Sequence, residues 1–272
     1  LFELPVAFLL QMLDCSQISA CPLLAGFEHH LEIDSTQTRA RELLPSLVNE
    51  RLPYLIVADR QTAGRGRGDN RWWTGAGSLA FSLIFTPENF GLSRPARPSR
   101  SLVVGVALVE AVAPLLAARF GAKGPRVGLH WPNDVFVGER KLAGILIDVA
   151  PDDRHVLGVG VNTNNSLADA PAEVRARATS LVELLETPVD TTALLLDFLA
   201  RAAELLRLSA ADPVAMGRRF QEQCLQVGEE LAVVAADSEK RGRCQGIAED
   251  GALLLETAAG VERIYSGVLR HR

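Results

Sequence analysis

The sequence predicts an α/β (α+β) protein: a mixed sheet with helices, followed by a small separate β-barrel. Three observations carry this reading. Two runs with apolar residues at helical spacing, 101–119 and 191–208, read as core helices. Four strand-like runs, 127–131, 135–137, 141–149 and 155–162, follow one another through tight turns, which favours antiparallel pairing. From residue 226 the chain changes to short strand-like runs at 230–235, 243–248, 252–257 and 261–265, with Glu249-Asp250-Gly251 a strong hairpin turn. The predicted domains are therefore 1–225 and 226–272.

The elements follow in order. Residues 1–13 are apolar but contain Glu3 and Pro5, lack a basic flank and are too short to span a bilayer. Leu1 leaves open where the native chain begins. Residues 27–33 form a short strand. Asp34-Ser35-Thr36 supplies caps for a helix toward residue 49, which Pro45 shortens or kinks. Residues 52–59 and 78–86 are strands, and 88–100, rich in Pro and Arg, is a surface loop. The run 101–118 is apolar enough to raise a membrane question. Glu110 in its middle and Pro114 favour a buried core helix instead.

A formal net charge of −5 counts against broad nucleic-acid binding, which favours a basic face. The four cysteines, Cys15, Cys21, Cys224 and Cys244, lack C-x-x-C spacing and a nearby histidine pair. They read as reduced, mostly buried thiols of a cytoplasmic protein, with no metal site formed directly by a protein cluster. His29-His30 reads as a surface or strand-edge pair.

The most informative stretch is 58–70, A-D-R-Q-T-A-G-R-G-R-G-D-N, entered from the apolar run 54–57. Gly64, Gly66 and Gly68 let backbone fold closely around a ligand, and Arg65 and Arg67 supply planar forks of donors for carboxylate or phosphate. The spacing is neither a P-loop nor a dinucleotide fingerprint. A solvated flexible loop has the same composition, so both readings stand on this stretch alone. Downstream, Trp131-Pro132-Asn133-Asp134 is a rigid turn. Lys141 opens an apolar strand, where a lone lysine is ordinarily solvated. Gly144 marks close approach of a ligand or another chain segment. Three positions apart, Lys141 and Gly144 face opposite ways unless a bulge intervenes. Asn162 ends the strand G-V-G-V-N as a turn former or a phosphate contact.

Together these segments resemble the biotin protein ligase family. The resemblance rests on I-D-S-T-Q (33–37), Q-T-A-G-R-G-R-G (61–68), W-P-N-D (131–134), R-K-L-A-G-I-L (140–146) and G-V-G-V-N (158–162), in that order over most of 28–165. It implies a catalytic domain like that of class II aminoacyl-tRNA synthetases and an SH3-like C-terminal domain. It implies activation of biotin by ATP with Mg²⁺ to biotinyl-5'-AMP, then transfer to a lysine of a biotin carboxyl carrier domain of a biotin-dependent carboxylase. The catalytic residues it implies are Lys141, Arg65 and Arg67. Ser35, Thr36, Gln37, Gln61, Gly66 and Gly144 join them around biotin. Gly66, Trp72, Asn133 and Asn162, with Lys141 and the two arginines, contact the nucleotide, Trp72 packing on the closed loop or on adenine. The chain departs from the family's common pattern at His130, where a lysine often stands, and at Asp69 in the loop's second half. Nothing before residue 28 is long enough for a helix-turn-helix, so no DNA-binding domain is expected. Neither is a membrane partner, while a homodimer stays possible. Two alternatives remain: a lipoate or octanoate ligase, and a non-catalytic biotin-binding regulatory protein.

Overall fold

The computed structural model describes residues 13–92, 99–235 and 238–270. The expectation for the first twelve residues lies outside these, as does the middle of the expected loop 88–100. Seven strands form the first sheet: β1 (Gly26–His30), β2 (Tyr54–Ala58), β3 (Leu79–Phe85), β4 (Val127–His130), β5 (Asp134–Val137), β6 (Arg140–Val149) and β7 (His155–Val161). Their order is β1-β2-β3-β7-β6-β5-β4. Only β1 and β2 pair in parallel; the run β4 to β7 is antiparallel throughout, as its short turns require.

The helices are α1 (Cys15–Ser19), α2 (Thr36–Leu43), α3 (Arg100–Phe120), α4 (Ala172–Arg177), α5 (Leu181–Leu185), α6 (Thr191–Ala211) and α7 (Pro213–Gln223). Ser35 caps α2, its hydroxyl accepting from Thr38 N. The helix ends at Leu43, so Pro45 shortens it well before residue 49. The apolar run beginning near residue 101 is the buried core helix α3, with Val104, Val106, Ala107 and Val112 wholly enclosed. It packs on α6 and on β4, β5 and β6.

Strand alternation divides the apolar residues between the two sheet faces. Leu55, Val57, Leu83 and Phe85 join the main core with α3 and α6, while Tyr54, Ile56, Ile84 and Val156 pack under α2. Helix α2 contacts β2, β3 and β7. On that face the neighbouring part of β7 and β6 carries Gly158, Gly160 and Gly144 and remains free for a cavity.

A second sheet contains β8 (Glu230–Ala235), β9 (Ser238–Ile247), β10 (Leu253–Thr257), β11 (Gly260–Ile264) and β12 (Val268–Arg270), all antiparallel in the order β11-β10-β9-β8-β12. The expected hairpin turn at Glu249-Asp250-Gly251 joins β9 to β10, with Gly251 at φ +87°. Strand β12, at three residues, is too short to show a period, and the first half of β9 lacks an apolar pattern; neither was expected. Helices α1, α4, α5 and α7 were also unforeseen; the first three are under two turns long. The main core runs through both sheets, since Val233, Cys244, Ile247 and Leu253 belong to it. All four cysteines are free thiols, but only Cys224 and Cys244 are buried, Cys15 and Cys21 being half-exposed.

His29 and His30 lie on edge strand β1, paired with Asp59 and Glu28 at 2.9 Å each. Arg39 of α2 donates twice to Glu28, at 3.0 Å from Nε and from Nη2. Those bonds hold the Glu28 carboxyl below the usual carboxylate range, against the opposing effect of burial. A depressed folded pKa stabilises the fold above the unfolded value, about 4.3, and that stabilisation is lost as pH falls through the folded value. Glu28→Gln is expected to cost about 1 kcal/mol near neutral pH and progressively less in acid. Chemical unfolding of both proteins across this range checks it; a loss independent of pH would assign the effect to packing.

Candidate active site

The site is built on a floor of three glycines. Pairing of Gly144 with Gly160 and Leu146 with Gly158 puts the β6 and β7 residues on one face, next to Ser82 of β3. The β5–β6 register shifts so that Val135 opposes Ala143 while Phe136 opposes Lys141. This bulge at Leu142 turns Lys141 onto the same face as Gly144. A Cβ on Gly144 would lie 3.3 Å from Lys141 Nζ and from Trp72 Cζ3. A Cβ on Gly160 would lie 2.3 Å from Trp72 Cε2. The Trp72 indole therefore lies down on the sheet, where only glycine leaves room for it, with Lys141 Nζ 5.7 Å from its ring centroid.

Lys141 Nζ is 2.7 Å from Asp134 Oδ2, and Asp134 Oδ1 is buried with no hydrogen-bond partner. Asp134 comes from the Trp-Pro-Asn-Asp turn, which is held at both ends. Asn133 Nδ2 donates to Ile145 O (2.6 Å) and Ile145 N to Asn133 O (2.9 Å). Trp131, 1% exposed, donates both its N–H groups to protein: its backbone N–H to Gln226 Oε1 (2.7 Å) and its Nε1 to Gly251 O (3.1 Å). His130 stacks on Phe136 at 4.1 Å between centroids.

At the other end of the floor, helix α2 and the loop after β2 bring polar groups together. Thr36 N donates to Gln61 Oε1 (2.8 Å), and Gln61 Nε2 to Thr74 Oγ1 (3.2 Å). Ser82 Oγ lies 2.9 Å from Thr36 Oγ1 and 3.0 Å from Gln37 Oε1. Gln37 Nε2 donates to Asp148 Oδ2 (2.7 Å) and Val156 O (3.1 Å). Gln37 lines the cavity, but its amide is fully engaged by protein.

The glycine-arginine loop folds back on itself. Gly66 N donates to Asn70 O (2.8 Å) and Trp72 N to Gly64 O (2.9 Å), while Arg65 and Arg71 form an antiparallel bridge. A Cβ on Gly64 would lie 2.5 Å from Trp72 O, and Gly68 has φ +62°. Arg67 reaches across to donate to the carbonyl of Gly267, just before β12.

These parts enclose a cavity of about 570 Å³. Its lining includes Ser35, Thr36, Gln37, Gln61, Arg65, Gly66, Arg67, Trp72, Asn133, Lys141 and Gly144. Asn162 is not among them. It lines an adjoining cavity of about 180 Å³ that shares Arg71, Trp72, Lys141 and Arg177 with the larger one. Among the described residues no group of three or more His, Cys, Asp or Glu side chains is disposed to hold a metal.

The sequence pattern of the Biotin/lipoate A/B protein ligase family matches residues 32–164, and that of the Biotin protein ligase C terminal domain matches 228–270. The chain is 31% identical to the biotin--[acetyl-CoA-carboxylase] ligase of Paracoccus denitrificans over 84% of its own length and 92% of that protein's. The chain belongs to the biotin protein ligase family. It is a ligase by this membership, with an SH3-like C-terminal sheet. A bifunctional ligase/repressor of Bacillus spizizenii is 31% identical, covering 86% of this chain and 70% of the relative. The biotin protein ligase from Aquifex aeolicus in complex with biotin and ATP superposes with TM-score 0.77 at 30% identity, covering 91% of this chain and 99% of that one.

Several lining residues escaped sequence reasoning. Arg177 sits on short helix α4, and Gly267, Val268 and Leu269 come from the second sheet. Gly158 and Gly160 were visible as a G-x-G alternation, which places both glycines on one face of a strand.

Proposed function

We propose that the cavity joins biotin to ATP and then passes the biotinyl group to a carrier lysine. The observation that carries this reading is that Lys141, its Nζ over the Trp72 ring, lines one cavity together with Thr36 and Gln61 and with the arginines of the loop. In the first step a biotin carboxylate oxygen attacks the α-phosphorus of ATP, and pyrophosphate leaves. Both reactants are anions, so fixed positive charge must neutralise them as the bond forms. Lys141 Nζ would exchange Asp134 for the carboxylate and α-phosphate, while Arg65 and Arg67 would hold the phosphates and close the adenylate from water. In the second step a carrier lysine amine attacks the mixed-anhydride carbonyl, and AMP leaves. No protein nucleophile is needed; the site positions reactants and stabilises charge.

Biotin suits the polar end. Its ureido ring is polar on an otherwise apolar body, and Ser35, Thr36, Gln61 and Ser82 border the glycine floor on which that ring would rest. Lipoate and octanoate have no such polar group at that end, so the hydrogen-bonding capacity these groups keep toward the cavity would go unused. The smaller cavity with Asn162 would take part of the nucleotide. Mg²⁺, a hard cation that keeps waters and substrate phosphates as ligands, would arrive with ATP. Four free thiols support a cytoplasmic setting, and the partner would be the biotin carboxyl carrier domain of a carboxylase. The domain division near residue 225 separates the residues that carry the chemistry from the sheet that supplies Gly267–Leu269.

Biotin-dependent exchange of pyrophosphate into ATP tests the reading. Exchange with biotin and none with lipoate or octanoate is the expected result. Exchange with one of those acids instead would overturn the substrate, and biotin binding without exchange would favour a regulatory binding protein.

A further inference from the structure

A hydrogen-bond chain runs from the rim of the sheet to the polar end of the cavity, and its direction can be read by counting protons. One end of the Gln37 carboxamide lies 2.7 Å from Asp148 Oδ2 and 3.1 Å from the Val156 carbonyl oxygen. A carboxylate and a carbonyl only accept, so this end is the NH₂ group. Arg41 Nη2 donates to the same Asp148 oxygen at 2.6 Å and holds it there. The other end, Gln37 Oε1, also only accepts, and Ser82 Oγ lies 3.0 Å from it. The single Ser82 hydroxyl proton is thereby committed to Gln37.

Ser82 Oγ is also 2.9 Å from Thr36 Oγ1, so the proton on that contact must come from Thr36. The remaining neighbour of the Thr36 hydroxyl is Gln61 Oε1 at 3.2 Å, already turned into an acceptor by Thr36 N–H. Both neighbours accept, and the one Thr36 proton points into the protein. Toward the cavity Thr36 Oγ1 carries lone pairs alone. Gly158 makes the arrangement possible, since a Cβ there would lie 2.5 Å from Gln37 Oε1.

We propose that Asp148, clamped by Arg41, is a positioning residue that sets this polarity, so that Thr36 meets the ligand as an acceptor and selects an N–H at that point. Turning Gln37 over would set its oxygen against Asp148 and the Val156 carbonyl, acceptor against acceptor. The inference deepens the proposed function and rests on it: the ureido ring of biotin offers N–H groups, whereas an acyl chain or a dithiolane offers none.

The test uses the whole chain with Asp148→Asn and Asp148→Glu, biotin, and a ketone analogue whose two ring N–H groups are CH₂. Asparagine no longer dictates which end of Gln37 faces it, and the Val156 carbonyl alone is left to hold the amide. Asp148→Asn is expected to raise KM for biotin about tenfold and to reduce the preference for biotin over the ketone by about the same factor. KM for ATP and kcat are expected to change by less than about twofold, and Asp148→Glu to recover most of the loss. Without any ligand, the Gln37 side-chain amide protons are expected to exchange slowly in the wild type and faster in Asp148→Asn, read by NMR. Unchanged selectivity, or equal rises in KM for both substrates that Asp148→Glu does not recover, would overturn the proposal. If the wild type does not bind biotin, the functional reading fails, and the Gln37 amide exchange still decides the polarity.

Discussion

Lys141→Ala is expected to lower biotin-dependent pyrophosphate exchange by about 10²–10³-fold, or roughly 3–4 kcal/mol of transition-state stabilisation. Among the described residues, the cavity lining contains several arginines but only this lysine. Its ammonium group is the cation seated on the glycine floor, held over the Trp72 ring and against Asp134. A compact point charge can move from one carboxylate to another with little rearrangement, whereas a planar guanidinium needs matched fork geometry. Lys141→Arg is therefore expected to recover only a minor part of the rate. Removing Lys141 also leaves the Asp134 carboxylate without its counter-ion, beside an oxygen that already lacks a partner. Stability and catalysis then separate in the double variant Lys141→Ala with Asp134→Asn, which should regain stability but not exchange. Exchange within about threefold of wild type in Lys141→Ala would remove the lysine from the chemistry, because loss of an oxyanion-type contact costs far more.

The same lysine marks where sequence reasoning reaches its limit. Its strand and its neighbour Gly144 were legible, and so was the condition under which both face one way. Whether the condition holds depends on a single extra residue, Leu142, against β5, and register is a property of two strands rather than one. Ser35 and Thr36 were legible because a helix cap has a chemical signature. Their extension through Ser82, Gln37 and Asp148 was not, since it joins α2, β3, β6 and β7 across more than a hundred residues of sequence. Asn162 was legible as a strand end; its position beyond the Lys141–Trp72 wall, in the smaller cavity, follows from the way Trp72 lies on Gly144 and Gly160.

Arg67 illustrates a third kind of gap. Its residue type suits an anion, which composition conveys, but its guanidinium also reaches the Gly267 carbonyl. That contact links the loop to the second sheet, whose residues Gly267–Leu269 close one side of the cavity. The second sheet carries no motif of its own for such a role, so only the packed structure reveals it. The proposed closing of the loop over an adenylate would then depend on how firmly the two sheets are joined.

Trp131 is one joint between the two sheets, and Trp131→Ala is expected to destabilise the protein by about 3–5 kcal/mol. The indole is fully buried in the core that spans both sheets, and its Nε1 supplies the partner for the Gly251 carbonyl in the β9–β10 turn. Truncation opens a cavity at the joint and orphans that carbonyl. Trp131→Phe keeps most of the volume and loses the hydrogen bond, at an expected cost of about 1–3 kcal/mol. The position also orients Pro132-Asn133-Asp134, so the damage should reach the Asp134–Lys141 pair. Denaturant unfolding measures the two losses, and hydrogen exchange of the β9 and β10 amides locates them. If both variants unfold at the wild-type midpoint, the two sheets are held together elsewhere. If only Trp131→Ala is destabilised, packing alone makes the joint and the Gly251 bond contributes little.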